Sequence, residues 1–319
     1  MDNISEVNGK QGFVAIEPAW HGKGTILNRP FTALEALQES GMDFEVAQTP
    51  EQYTVNRKIY TTKKMVNYRT DTDDYLGTVG NGYVPLQNRD AFVFFDSIVK
   101  KDEAIYHTAG SLGVGEKVWI LAKLPHQMII GKDDPIDNYI LIHNGHNGRT
   151  AVTASMVSTR VVCENTLSVA LSGATNKIAI RHTASAKEQL AEAHKLMGIS
   201  TKYYDEFQKI LTAMSHKQVQ AKDIEFFLDS VYPLNPENDT RTAAVKIREG
   251  IMESFETGVG QDMITTKGTV YGLFNGFTHY TDHVKEFDNA DSKLKSLWFG
   301  SMATKRQKAF DALAELAIS

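Results

Sequence analysis

The sequence predicts an α+β fold, with a twisted antiparallel β-sheet and packed helices over residues 1–182 and a helical region over 183–319. Three observations carry that division. Between Phe44 and Gly82 the runs FEVAQ, YTVN, KIYTT, MVNYRT and YLGTVG mix polar with β-branched and aromatic residues in near alternation, as half-buried strands do. Gly110, Gly113, Gly115 and Asp133-Asp134-Pro135 then punctuate further short apolar runs, as tight turns require. Beyond Thr183 the period becomes helical: Leu190, Met197, Tyr204 and Leu211 recur every seven residues, with Ala193, Ser200, Phe207 and Met214 between them.

The individual elements follow from local chemistry. Thr32-Ala-Leu-Glu35 is a capping box and predicts a short helix through Leu34 and Leu37, closed by Gly41. A helix is expected over Asn88–Val99, and strands over Ala104–Ala109, Glu116–Leu124, Tyr139–His143 and Arg149–Val157. Cys163–Leu171 reads as a helix buried along Leu167 and Leu171, followed by a strand at Lys177–Arg181. Ser185-Ala-Lys-Glu188 is a second capping box, and Gly198 with Ser200 suggests a kink or two shorter helices. Helical patterns continue through Asp223–Val231, Thr240–Glu256, Thr269–Val284 and Asp291–Ala317, the first two separated by Pro233 and Pro236.

A composition of 42% hydrophobic and 23% charged residues is that of an ordinary globular protein. The formal net charge of −5 gives no general pull toward nucleic acid, although a local basic surface is enough for phosphate contacts. Cys163 is the single cysteine, which excludes an internal disulfide and zinc sites built from several cysteines. The N-terminus has no charged segment leading an apolar run, and no stretch reaches the roughly 20 apolar residues of a membrane span. The expectation is a cytoplasmic protein with no membrane association.

The candidate chemistry is sparse. Gly110-Ser-Leu-Gly113-Val-Gly115-Glu-Lys117 lacks the ending of a phosphate-binding loop and precedes a strand, so it reads as a hairpin turn; Gly22-Lys23-Gly24-Thr25 lacks the spacing too. His143-Asn-Gly-His146 could hold a metal with help from His107 or His182, or could be a polar hairpin tip. Asp71-Thr-Asp73-Asp74 is either a solvated turn or a weak cation site. Cys163 is read as structural, and no nucleophile elbow, S-x-x-K or H-E-x-x-H pattern occurs. No metal, no cofactor and no catalytic residue are assigned.

The basic segments say more. Residues 52–70 carry Arg57, Lys58, Lys63, Lys64 and Arg69 with no acid, interleaved with Tyr53, Tyr60 and Tyr68. On a hairpin, such a face suits single-stranded nucleic acid: cations follow the backbone while rings stack on bases. The competing reading has tyrosines packed inward and lysines as solvated edge charges that discourage strand pairing. A second positive stretch, from Tyr139 to Arg181, holds Arg149, Arg160, Lys177 and Arg181. A third, from Ser292 to Phe310, holds Lys293, Lys295, Lys305, Arg306 and Lys308.

Several blocks resemble the phage/plasmid-like protein family, a domain of unknown function (number 932). They are Pro18-Ala-Trp20-His21-Gly22-Lys-Gly24, Gly77-Thr-Val-Gly80-Asn81-Gly-Tyr83-Val-Pro85-Leu-Gln87-Asn88, Ala109-Gly110-Ser-Leu, Ser158-Thr-Arg160-Val-Val-Cys163-Glu-Asn165-Thr166-Leu167, Tyr271 to His283, and Ser296-Leu-Trp298-Phe299-Gly300. His279 stands where the family pattern leads one to expect an acid. The order of elements is also similar to the core of single-strand annealing proteins, in which a basic groove of an oligomeric ring holds DNA without ATP or a catalytic residue. That similarity implies a single-stranded DNA-binding, annealing homo-oligomer of a phage or mobile element. Arg57, Lys58, Lys63, Lys64, Arg69, Arg149 and Arg160 would meet phosphates, and Tyr60 and Tyr68 would stack on bases. The alternatives are an interaction protein that blocks a host defence factor through its helical half, and a metal enzyme around His143 and His146.

Overall fold

Thr32 caps the first helix of the computed structural model, which describes residues 13–14, 25–26, 29, 31–92, 104–163, 165–171, 177–186, 188, 196–234 and 241–318. The Thr32 hydroxyl accepts from the Glu35 amide at 3.2 Å, and the Glu35 carboxylate accepts from the Thr32 amide at 2.9 Å. Helix α1 (Ala33–Glu39) is therefore the predicted one, and Gly41 leaves it with φ +72°.

The next three strands form their own antiparallel sheet in the order β3–β4–β5: β3 is Val46–Val55, β4 is Lys58–Arg69 and β5 is Tyr75–Gly80. Five short strands are expected here from the sequence, and the structure joins them into three. Pro50 does not interrupt β3, because β3 is an edge strand where a missing N–H leaves no ladder bond unmade. The polar stretch around Lys63 is absorbed by a register shift between Pro50 and Gln52, with no turn.

The larger sheet runs β11–β10–β9–β7–β6–β1–β2. Its strands are β1 (Phe13–Val14), β2 (Thr25–Ile26), β6 (Ile105–Leu112), β7 (Lys117–Lys123), β9 (Asp134–Gly145), β10 (Val152–Arg160) and β11 (Asn165–Leu167). β8 (Met128–Ile130) pairs with β9, and β12 (Lys177–Ile180) pairs with β10. Only β1 and β2 run parallel among these pairs. The strand expected at Lys177–Arg181 is present. The helix expected over Cys163–Leu171 is not: Asn165–Leu167 pairs instead with Ser158–Arg160. Two apolar residues four apart fit a strand and turn as well as a helix, and the open edge of β10 supplies backbone partners that a helix would leave unpaired.

From residue 196 the described chain is helical, as expected: α2 (Leu196–His216), α3 (Ala221–Val231), α4 (Arg241–Thr257), α5 (Val270–His279), α6 (Ala290–Leu294) and α7 (Ser301–Ile318). Helix α2 continues through Gly198 and Ser200. Tyr204, Phe207, Leu211 and Met214 of the seven-residue seam are buried, while the side chains of Leu190, Ala193, Met197 and Ser200 lie outside the described residues. The long pattern after Asp291 is interrupted at Gly300, which is extended. Wider π turns follow α5 and α6, at Tyr280–Val284 and Lys295–Phe299. Of the expected helix over Asn88–Val99, only 88–92 is described. None of the described helices is long and apolar enough to cross a membrane.

Strand periodicity divides the large sheet between two cores. Ile140 and Ile142 of β9, Ala154 and Met156 of β10 and Val118 and Ile120 of β7 join a cluster that extends to Phe207, Phe274 and Phe310 of the helices. The alternate residues Trp119, Tyr139, Leu141 and Val157 meet Leu294, with Trp298 and Phe299 packed alongside. The second face is thus covered by the C-terminal segment. A large cavity lies there, between the sheet and that segment.

Candidate nucleic-acid interface

The distal half of the β3–β4 hairpin projects from the fold. Residues 52–61 are exposed on both faces of the strands, and Lys63 and Lys64 are exposed as well. Asn56 and Arg57 form the two-residue tip between the closing pair Val55 and Lys58, with φ of +51° and +63°. Both values belong to the left-handed region that hairpin twist demands, where glycine normally takes the second place. An arginine there costs roughly 1 kcal/mol or more of backbone strain. Tyr53 and Tyr60 are cross-strand partners and stack at 5.4 Å with planes 18° apart. Both stay open to solvent, at 53% and 44%. Of the sequence-predicted residues, this arm brings together Arg57, Lys58, Tyr60, Lys63 and Lys64. Its acid, Glu51, is bonded to Thr62 and Thr78.

Four predicted residues are placed elsewhere, three of them buried or half-buried within the fold. Arg69 is buried; it pairs with Asp71 at 2.7 Å, donates to the Val114 carbonyl at 2.8 Å and lies 4.1 Å over the Phe44 ring. It anchors the small sheet to the β6–β7 turn and has no surface to offer a phosphate. Arg160 is fully buried and grips Asp134 through two bonds of 2.7 and 2.8 Å, with Thr265 completing that carboxylate at 2.9 Å. Burial works against its charge, but Asp134 and its neighbours outweigh that and leave the Arg160 pKa raised. Both arginines are therefore structural, because an ion pair made inside the fold removes the cation from solvent. Tyr68 is half-buried in the middle strand between Ala47 and Tyr75.

The two histidines of the His143–His146 pair are not brought to a common site. Adjacent to the end of β9, His146 is buried, with its Nε2 2.8 Å from the Asn88 carboxamide oxygen, which also accepts from Asn144. The Asn88 oxygen can only accept, so Nε2 carries the proton. Burial, then nearby His182, pushes the His146 pKa down to about 3. His182 accepts from the Leu86 amide, stacks on Tyr83 at 4.7 Å and is pushed by burial to about 4. Asn67 adds a bond to the His146 carbonyl, and Tyr83 one to the Gly145 carbonyl. The motif residues Tyr83, Asn88, Asn144 and His146 thus rivet the two sheets together. Gly77 completes the joint: a Cβ there would stand 2.6 Å from Asn147 Cα. Among the described residues no group of three or more His, Cys, Asp or Glu side chains could hold a metal ion.

His143 faces the other way, into a cavity of about 900 Å³ between the large sheet and the C-terminal segment. Register builds its floor: His143, Thr153 and Ala179 form one row across β9, β10 and β12, and Leu141, Ser155 and Lys177 the next, with Lys117 contributed by β7. Phe299 meets the His143 ring edge-on at 4.7 Å, and Lys117 lies 4.3 Å over Phe299. Arg149, Lys177 and Lys295 complete the positive lining, against Glu116 as the acid there. Burial, followed by the charges of Lys117 and Lys177, pushes the His143 pKa to about 3; burial and Lys295 push that of Lys117 down. Of the residues predicted to meet phosphates, Arg149 is the one located here. The cavity is not legible in the sequence because Lys117, Lys177 and Lys295 belong to three distant segments, brought together only by strand register and by the packing of the C-terminal segment on the sheet.

Cys163 is buried at the end of β10, 3.6 Å from Arg160 Nη1, and burial pushes its thiol pKa up. That is the environment of an unreactive cysteine.

A family model described as Domain of unknown function (DUF932) matches residues 75–298, more than half of the chain. No curated protein and no solved structure matches it.

Proposed function

The chain belongs to the DUF932 family, and we propose that it is a non-enzymatic protein that binds and anneals single-stranded DNA with its projecting β-arm. The proposal places it in the host cytoplasm, acting as a homo-oligomer in the recombination of a phage or other mobile element. The observation that carries the reading is the arm itself. A hairpin exposed on both faces gains nothing from burial, yet it holds Arg57 in a strained conformation beside Lys58, Lys63 and Lys64, with an accessible tyrosine stack between them. A non-glycine residue kept at such a position at the cost of strain is a pointer to function. Cations spaced along a strand with rings between them match the demands of a sugar-phosphate backbone and its unstacked bases.

Fluorescence anisotropy of a labelled thymidine oligonucleotide tests this. Binding at low salt should weaken on Tyr60→Ala by about 5- to 150-fold, the range of about 1–3 kcal/mol for one base–aromatic stack, without loss of fold. No binding at low salt, or equal binding by the Tyr60→Ala variant, would refute the arm's role.

One observation favours a second reading, docking to a host protein. Val55 and Ile59 beside the tip are exposed at 49% and 67%, and apolar groups add little to a phosphate contact. That reading predicts a stoichiometric protein partner on purification from host cells, retained in high salt and lost on Ile59→Asp.

A further inference from the structure

We infer that the cavity beneath the C-terminal segment is a second site, which takes the phosphate of a nucleotide, either free or at the end of a DNA strand. It goes beyond the arm: none of the arm's exposed residues lines the cavity. Several observations converge on an anion with an aromatic moiety. The volume of about 900 Å³ falls within the range of small-molecule sites, roughly 300–1,000 Å³. The lining places Lys117, Arg149, Lys177 and Lys295 against Glu116, an excess of three positive charges by those five residues, and Glu116 spends its charge on Lys295 at 3.5 Å. Arg149 and Lys177 are exposed at the rim, and among the described residues neither is ion-paired to a carboxylate. Cations gathered in a concave, half-dry site raise one another's energy unless an anion joins them, and a phosphate dianion with several acceptor oxygens is suited to that.

The floor supplies the remainder. His143 is only 6% exposed, and its Nδ1 has no hydrogen-bond partner although the ring faces the cavity. A buried polar atom left unpaired is destabilising, and a ligand group reaching it would remove that cost. The neutral imidazole can meet a base edge without adding charge. Trp298 and Phe299 form an aromatic wall beside it, and Ser155 and Thr153 offer hydroxyls from the adjacent strand. Together they match a nucleoside phosphate better than a simple inorganic anion, which would leave the imidazole and the rings unused.

The site also adjoins the sheet at the arm's base. Asn147 and Arg149 line the cavity, while Asn147 backs onto Gly77 and Gly148 onto Val79 of β5. A strand end seated at Arg149 would therefore lie against the sheet that carries the arm.

Calorimetry with deoxyadenosine monophosphate, and anisotropy with one oligonucleotide bearing or lacking a 5′-phosphate, test the inference on the full chain. The mononucleotide should bind at one site per chain with a Kd on the order of 10–100 μM. Arg149→Ala with Lys177→Ala, both at exposed positions, should weaken it at least about tenfold, while Lys58→Glu with Lys63→Glu and Lys64→Glu in the arm should not. If only the 5′-phosphorylated strand gains affinity, and the cavity variant abolishes that gain, the ligand is a strand end. The inference is overturned if neither the mononucleotide nor the 5′-phosphate adds binding, or if the cavity variant binds as the parent does. Failure of the arm variants alone to change strand binding would overturn the arm reading and leave this site standing.

Discussion

Replacing Arg57 by glycine should move stability and affinity in opposite directions. Arg57 sits at φ +63° in the two-residue tip, closed by Val55 and Lys58. Relief of a left-handed arginine returns roughly 1–2 kcal/mol, from which glycine's greater freedom in the unfolded chain removes about 0.5–1 kcal/mol. The net gain of about 0.5–1 kcal/mol should slow amide exchange in the arm around two- to fivefold, read at Val55 and Lys58 by hydrogen exchange. The same substitution deletes one of four arm cations. With a single-strand salt slope of about −0.7 per phosphate neutralised, one lost contact costs about fivefold in affinity at roughly 0.1 M salt. Anisotropy with a labelled oligonucleotide reads that loss. Slower exchange with unchanged affinity would show that Arg57 is not held for DNA. Faster exchange would show that the tip carries no strain.

Arg160→Met should cost about 3–5 kcal/mol in urea unfolding, because Asp134 is left buried and charged; adding Asp134→Leu should restore most of it. Oligonucleotide affinity of the folded double variant should equal that of the parent, and a specific loss would return Arg160 to the interface. A third expectation concerns pH. His143, His146 and His182 are held neutral, with folded values of about 3, 3 and 4 against about 6.5 when unfolded. The unfolded chain takes up the protons first, so stability is constant in this respect above pH 6.5. It falls by up to about 1.4 kcal/mol per pH unit for each histidine as pH drops toward 4. Thermal melts between pH 8 and 4.5 should show the decline, and His146→Gln should flatten it; identical slopes would refute the buried neutral assignment.

Local chemistry was legible in the sequence wherever it is self-contained. Thr32 and Glu35 satisfy each other within one turn, and Tyr204, Phe207, Leu211 and Met214 share a helix face by spacing alone. The segment Lys58–Lys64 could be singled out because the arm's charges and rings are contiguous. Long-range partners were not legible. Arg160 looks like any exposed basic residue until Asp134, twenty-six positions earlier, is brought opposite it. Arg69 is likewise hidden by Asp71, Val114 and Phe44. The Asn165–Leu167 strand depends on the open edge of β10, and the cavity depends on the register of four strands and a C-terminal lid. Such features need the tertiary pairing that a local pattern cannot contain.

The claim that the arm grips single-stranded DNA is tested most directly by the salt dependence of binding. With Arg57, Lys58, Lys63 and Lys64 each neutralising a phosphate, the logarithm of affinity should fall against the logarithm of salt with a slope of about −2.8. That is a loss of about 50-fold between roughly 50 and 200 mM. Lys58→Glu with Lys63→Glu and Lys64→Glu should reduce the slope to about −0.7 or less and weaken binding at every salt concentration. A parent slope near zero, or a slope that the three substitutions leave unchanged, would contradict the assignment.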